Sequence, residues 1–293
     1  MKKTYRLIIS LVLGLALVVA LAGCGGNGGN ADGFDTSSEI TVVSREDGSG
    51  TRGAFVELMG IEEKDANGNK VDRTTVEAVI ANKTDVVMTN VAGNTYAIGY
   101  ISLGSLNDNV KAVKIDGVEA SSENINNGSY PVARPFNIAT KGAPSVLAQD
   151  FIDYILSAEG QAIVNDGYIA VDDSAASFSG SMPSGKLVVA GSSSVSPVME
   201  KLVEGYLQIN SAADIEIQTS DSSAGMTAAI DGTCDIGMAS RGLKDSELAE
   251  LTPVVIAMDG IAVVVNNDNP VDNIASDIAT SIFIGETTTW DAL

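Results

Sequence analysis

Nine consecutive residues, Ser44-Arg45-Glu46-Asp47-Gly48-Ser49-Gly50-Thr51-Arg52, bring together a guanidinium, hydroxyls and small residues at a strand–turn–helix junction. The apolar run Ile40-Thr41-Val42-Val43 precedes them and Gly53-Ala54-Phe55-Val56-Glu57-Leu58-Met59 follows. Such a turn aims backbone N–H groups at one point, and the helix N-terminus adds partial positive charge there. Arg45 can give two parallel hydrogen bonds to an oxyanion, with Asp47 near enough to hold its guanidinium. Ser49, Gly50 and Thr51 add hydroxyl and amide donors. The chemistry this predicts is oxyanion binding; the alternative is an ordinary turn beside a surface ion pair.

Three further junctions repeat the pattern. Gly191-Ser192-Ser193-Ser194-Val195 leads from an apolar strand into a helix with Pro197 in its first turn. The others are Gln218-Thr219-Ser220-Asp221-Ser222-Ser223-Ala224-Gly225-Met226 and Asp235-Ile236-Gly237-Met238-Ala239-Ser240-Arg241. Each alone reads first as a capped helix. Together they suit an open α/β sheet, which binds ligands at the carboxyl ends of its strands.

The elements that must position these turns alternate in type, which predicts α/β architecture. Strands are expected at 40–43, 97–102, 111–115, 187–190, 213–218, 234–238 and 253–265, and helices at 51–59, 72–82, 144–156, 196–208, 224–231 and 244–250. In the helix at 196–208, Val198, Leu202, Val203, Tyr206 and Leu207 share one apolar face and belong to the core. The small, polar stretch 174–185 reads as a Ser/Gly linker.

Composition removes several function classes. The chain has no histidine, so Ser-His-Asp and Cys-His catalysis and most zinc sites are unavailable. No metal site and no cofactor are expected. The basic flank Lys2-Lys3, the apolar stretch 7–21 and Leu21-Ala22-Gly23-Cys24 have the layout of a signal peptide over 1–23, with a flexible tether over 24–38. Leu-Ala-Gly-Cys resembles a bacterial lipobox, which implies acylation of Cys24 and an extracytoplasmic, lipid-anchored protein. Cys234 is then a lone core thiol. The formal charge of −21 argues against nucleic acid as a partner. An anion site in so acidic a protein must work through short-range hydrogen bonds, because exposed charges are screened within about 8–10 Å.

At these same residues the chain resembles the phosphate-binding lipoproteins of bacterial phosphate ABC importers. The resemblance is carried by 191–197, 222–225, 235–241, 259–266, Ile282-Phe283-Ile284-Gly285 with Trp290, and 44–52, and extends to Ala97-Ile98-Gly99-Tyr100, Tyr130-Pro131, Arg134-Pro135 and 151–161. It implies a two-lobed, periplasmic-binding-protein-like (type II) fold with the anion in the interlobe cleft, and a membrane permease as partner of a monomeric receptor. The order of the segments differs from the family's: the part resembling its second half comes first. The resemblance therefore implies a circular permutation, joined through 174–185. It assigns one lobe to 39–132 plus 268–293 and the other to 133–267, with hinges near 130–136 and 260–268.

Carried over residue by residue, Arg45, Ser49, Gly50 and Thr51 match phosphate contacts from one lobe, with Asp47 bracing the arginine. Ser193, Ser194, the Val195 amide and Ser222 match the other lobe. Where well-understood members hold a proton-accepting aspartate, this chain has Ser240-Arg241. A buried acceptor would be needed to separate phosphate from sulfate, with Asp259 the first candidate and Asp221 the second, while Arg241 offers a second charge-assisted contact. Rival readings are a receptor for another tetrahedral oxyanion, a hydrolase using the same cradle, and a sensor uncoupled from transport.

Overall fold

The computed structural model describes residues 33–293, so the signal-peptide reading and Cys24 lie outside the described residues. The first strand, β1 (Thr41–Arg45), runs straight into α1 (Gly50–Leu58), as the sequence predicts. The segment 72–82 is not a helix. It contains the end of the hairpin β2 (Glu62–Lys64) and β3 (Lys70–Asp72), a loop, and β4 (Val79–Ala81). Val76, Val79 and Ile80 have helical spacing, but β4 lies on the sheet edge in parallel register with β1, Val79 opposite Val43. Sheet pairing there outweighs the periodicity.

Next come α2 (Thr84–Ala92), β5 (Ala97–Ser102), a short 3-10 turn over Leu103–Ser105, β6 (Lys111–Ala112), β7 (Lys114–Ile115), α3 (Ser122–Asn126) and β8 (Ala133–Thr140). The second part holds α4 (Val146–Ile155), α5 (Ala158–Val164), β9 (Gly185–Ser192), α6 (Ser196–Ile209), β10 (Ala213–Ser220), α7 (Ser222–Asp231) and β11 (Ile236–Ala239). It closes with α8 (Asp245–Leu248), β12 (Thr252–Val265), β13 (Asn273–Ile274) and α9 (Ser276–Phe283).

One sheet organises these elements, in the order β10-β9-β11-β8-β12-β5-β1-β4, with β6 also on β12. Its centre is β12, which pairs antiparallel with β8 over Thr252–Gly260, across a bulge at Ile256, and with β5 over its last five residues, from Ile261. On one side of that centre, Phe136, Phe151, Tyr154, Tyr206 and the predicted face of α6 form the main apolar core. On the other, Phe55 stacks on Tyr100 with ring centroids 4.0 Å apart, and Phe283 meets both edge-on. Cys234 packs with Met226 and Leu251, and burial followed by Asp235 pushes its thiol up to about 11.

The stretch 174–185 is irregular, as expected of a linker, but it is bolted down. The buried Asp150 carboxylate accepts from the Ser181 and Met182 N–H groups (2.6 and 3.2 Å) and from the Tyr206 hydroxyl (2.7 Å). The Phe178 ring lies edge-on to Tyr154. The two ends of 36–293, a single compact unit, also meet. The Ile40 N–H donates to the Thr288 carbonyl at 2.7 Å, and Glu39 bridges to Thr289.

Candidate functional site

The sheet curls until the turn after β1 faces the turns after β9, β10 and β11. Ser49 caps α1, its Oγ accepting from the Arg52 N–H at 3.3 Å, and this leaves Gly50 as the first helical residue. Gly50 lies flat against the Ser222 and Ser240 hydroxyls, where a Cβ would collide with both. Gly48, at φ +89°, presents its carbonyl to the Ser223 N–H at 3.2 Å. Only a residue free to take positive φ makes this turn, and only one without a side chain lets the other face come so near.

At the focus, Arg45 is 2% exposed. Its Nη2 donates to Ser193 Oγ at 3.1 Å and its Nη1 to Thr84 Oγ1 at 3.4 Å. Thr51 Oγ1 is 2.8 Å from Ser194 Oγ, which is also 3.2 Å from Thr84 Oγ1. Ser222 Oγ accepts from the Ser240 N–H at 3.1 Å and lies 3.4 Å from its hydroxyl. Of the predicted residues, Arg45, Gly50, Thr51, Ser193, Ser194, Ser222 and Ser240 thus come together, with Ser49 behind them as a cap. Every hydroxyl in this cluster can rotate to donate. The arrangement can wrap several hydrogen bonds and one guanidinium around a small oxyanion.

Five of the predicted residues have other partners in the structure, and for Asp47 this corrects its expected role. Asp47 does not brace Arg45: it is exposed and lies 3.4 Å from Arg52, while Glu46 forks the guanidinium through Nε and Nη2 at 2.7 and 2.8 Å. The Val195 amide is closed onto the Ser192 carbonyl at 3.0 Å, completing a turn. Asp259 is turned to another task, its Oδ2 accepting from Arg134 Nη2 at 3.0 Å and its Oδ1 from the Gly104 N–H at 3.3 Å. Asp221 is the N-cap of α7, accepting from the Ala224 N–H at 2.8 Å. Arg241 forks onto Glu247, both contacts 2.8 Å, and lines a groove of about 590 Å³ beside α1. Burial opposes ionisation of Glu247, yet Arg241 and the Lys244 N–H hold its carboxyl below the usual range.

Thr84, Glu46 and Glu247 are residues that sequence reasoning missed. Thr84 opens α2 at the start of an amphipathic stretch, and a hydroxyl at a helix N-terminus was its only signal. Glu46 is adjacent to Asp47, and no spacing rule tells which of two neighbouring carboxylates turns inward.

A mixed sheet folded so that its strand-end turns oppose one another is the architecture of a binding-protein domain. The PBP superfamily domain family matches residues 31–159 and 176–293, and the chain belongs to that superfamily. Within it, the chain is a member of the PstS phosphate-binding protein family. It is 50% identical over 296 residues to phosphate-binding protein PstS 2 of Streptococcus agalactiae, covering 100% of this chain and 99% of that one. A crystal structure of the phosphate-binding protein of a Streptococcus pneumoniae phosphate ABC transporter superimposes with a TM-score of 0.70 at 49% identity, over 87% of this chain and 99% of that one. The PstS of Bacillus subtilis is 36% identical over 140 residues, 46% of this chain and 43% of that protein.

Proposed function

We propose that the chain is an extracytoplasmic receptor that binds inorganic phosphate between two lobes and delivers it to the membrane permease of an ABC importer, from a lipid anchor on Cys24. The observation that carries this reading is the buried cluster of Arg45, Thr51, Thr84, Ser193, Ser194 and Ser222, drawn from opposite ends of the sheet. Phosphate replaces the hydroxyl contacts at the Arg45 Nη edge while Glu46 holds the other edge. Binding and closure are one event, since donors from both sides meet only when closed. No covalent step is involved, and the receptor acts as a monomer. Among the described residues no helix is long and apolar enough to cross a membrane.

The lobes are 39–132 plus 268–293 and 133–267. The segment order is shared with the PstS 2 relatives, which align end to end, and is exchanged relative to proteins such as the PstS of Bacillus subtilis. Two observations support that: residues 39–40 lie against 288–289, and the alignment to the Bacillus protein spans under half of each chain. A collinear alignment of exchanged segments can pair only one of them. Calorimetric titration with phosphate, repeated in excess sulfate, tests the function. One-to-one binding that survives sulfate supports phosphate as the ligand. Equal competition supports a general tetrahedral-oxyanion receptor. No binding by a folded protein overturns both.

A further inference from the structure

A second polar cluster lies where β8 and β12 cross the middle of the sheet. Arg134 and Asp259 are a cross-strand pair, 2% and 1% exposed. The Arg134 guanidinium sits 5.3 Å from the Phe136 ring centre, and Phe136 packs against Tyr168. Burial pushes the Asp259 carboxyl up against the pull of Arg134. From the β5 end, Ser102 and Ser105 stand close enough to the Tyr168 hydroxyl, and Ser102 to the Asp259 carboxyl, to pull both groups down against burial, but none of these contacts meets full hydrogen-bond geometry. From the other end, Tyr168 is fixed by the Ile169–Met258 bridge. Gly104 lies so close to the Tyr168 ring that a Cβ would overlap it.

Among the described residues, the buried side-chain nitrogens and oxygens without a protein partner are Arg134 Nε and Nη1, Tyr168 Oη, Ser102 Oγ and Ser105 Oγ. All five belong to this one cluster. Buried polar groups are almost always partnered, and several orphans in one place mark a site for a small polar ligand. The chemistry selects water. The Arg134–Asp259 pair is already neutral, so an added anion would face the carboxylate. The three hydroxyls need acceptors as well as donors, which water alone supplies at that size. The residues also come from both ends of the sheet, and a water bridge tolerates changes of length that a direct bond does not.

We propose that Ser102, Ser105, Arg134, Tyr168 and Asp259 form a buried, water-filled joint between the two ends of the sheet, which stabilises the closed arrangement without touching the anion. These are positioning residues. Loosening the joint lowers the closed population, and apparent affinity falls by the same factor. The coupling rests on the phosphate reading above; the hydration does not.

Two arms test it. A high-resolution crystal structure of the protein over residues 33–293 should show ordered waters bridging Arg134 Nε or Nη1 to Tyr168 Oη and a serine hydroxyl. A dry cluster, or side chains bonded directly to one another, overturns the proposal whether or not the wild type takes up phosphate. In the second arm, Tyr168→Phe and the milder Ser105→Ala are titrated with phosphate beside the wild type, with thermal unfolding confirming the fold. The expected result is affinity weakened about fivefold, the scale of one lost bridging hydrogen bond, with stoichiometry unchanged. Wild-type affinity in a folded Ser105→Ala and Tyr168→Phe overturns the coupling.

Discussion

Replacing Gly50 by alanine separates closure from folding. Gly50 opens α1 and abuts Ser222 and Ser240, so its new methyl group would overlap the Ser222 Oγ and approach the Ser240 Oγ to 2.7 Å. Neither serine can retreat cheaply, because the Ser240 N–H is bonded to Ser222 Oγ and both residues are buried. Overpacking of this kind costs about 1–3 kcal/mol. In an opened protein the methyl group meets no opposing face. There it favours the helix and stiffens the unfolded chain, a gain of about 0.4–1 kcal/mol. The substitution is therefore expected to weaken phosphate binding by roughly 5- to 150-fold while leaving the melting temperature of the phosphate-free protein unchanged or raised. Calorimetry and thermal unfolding of the same preparation read both quantities. Undiminished affinity would show that the turn after β1 does not close on α7 in the bound state. A parallel loss of affinity and stability would show that Gly50 matters to the fold instead.

Other perturbations probe separate parts of the account. Arg45→Ala should weaken phosphate binding at least tenfold, since it removes the buried positive charge and leaves Glu46 facing the anion; calorimetry decides. Asp150→Ala should lower the unfolding free energy by about 2–4 kcal/mol in urea titration and open 174–185 to limited proteolysis, because four donors, the Ser181 hydroxyl included, lose a charged acceptor. Glu247 has a carboxyl held below its usual range, so its contribution is complete above about pH 4.5 and is lost as pH falls through the folded-state value. Glu247→Gln should accordingly cost about 1–2 kcal/mol at pH 7, and the gap to the wild type should close on acidification.

Much of this protein could be read from its sequence, and the exceptions share a cause. The junctions at Arg45, Ser193 and Ser222 were legible because a strand, a small-residue turn and a helix are local features that need no tertiary information. The failures are contacts set by distant partners. Residues 72–82 have a helix-like apolar spacing, but β1 supplies a parallel neighbour for Val79 and Ile80. Asp259 was the first candidate for a buried acceptor beside the anion, and the register of β12 on β8 puts Arg134 directly opposite it. Val195 fits a turn whose amide closes on Ser192. The linker's docking depends on Asp150, some thirty residues away, whose carboxylate is aimed by its place on α4. The opposition of the two sets of turns, which makes the site, was implied by the family resemblance and not by any local pattern, because it depends on the order of distant strands in the sheet.

A crystal structure of the protein grown with phosphate tests the central claim most directly. The account predicts one tetrahedral anion enclosed between the β1 turn and the β9, β10 and β11 turns. Arg45 Nη atoms, Thr51, Ser194 and Ser222 should lie within hydrogen-bonding distance of it, and Asp259 should remain on Arg134. Phosphate bound elsewhere, or an anion held by Arg134 and Arg241 with the Arg45 cluster undisturbed, would contradict it.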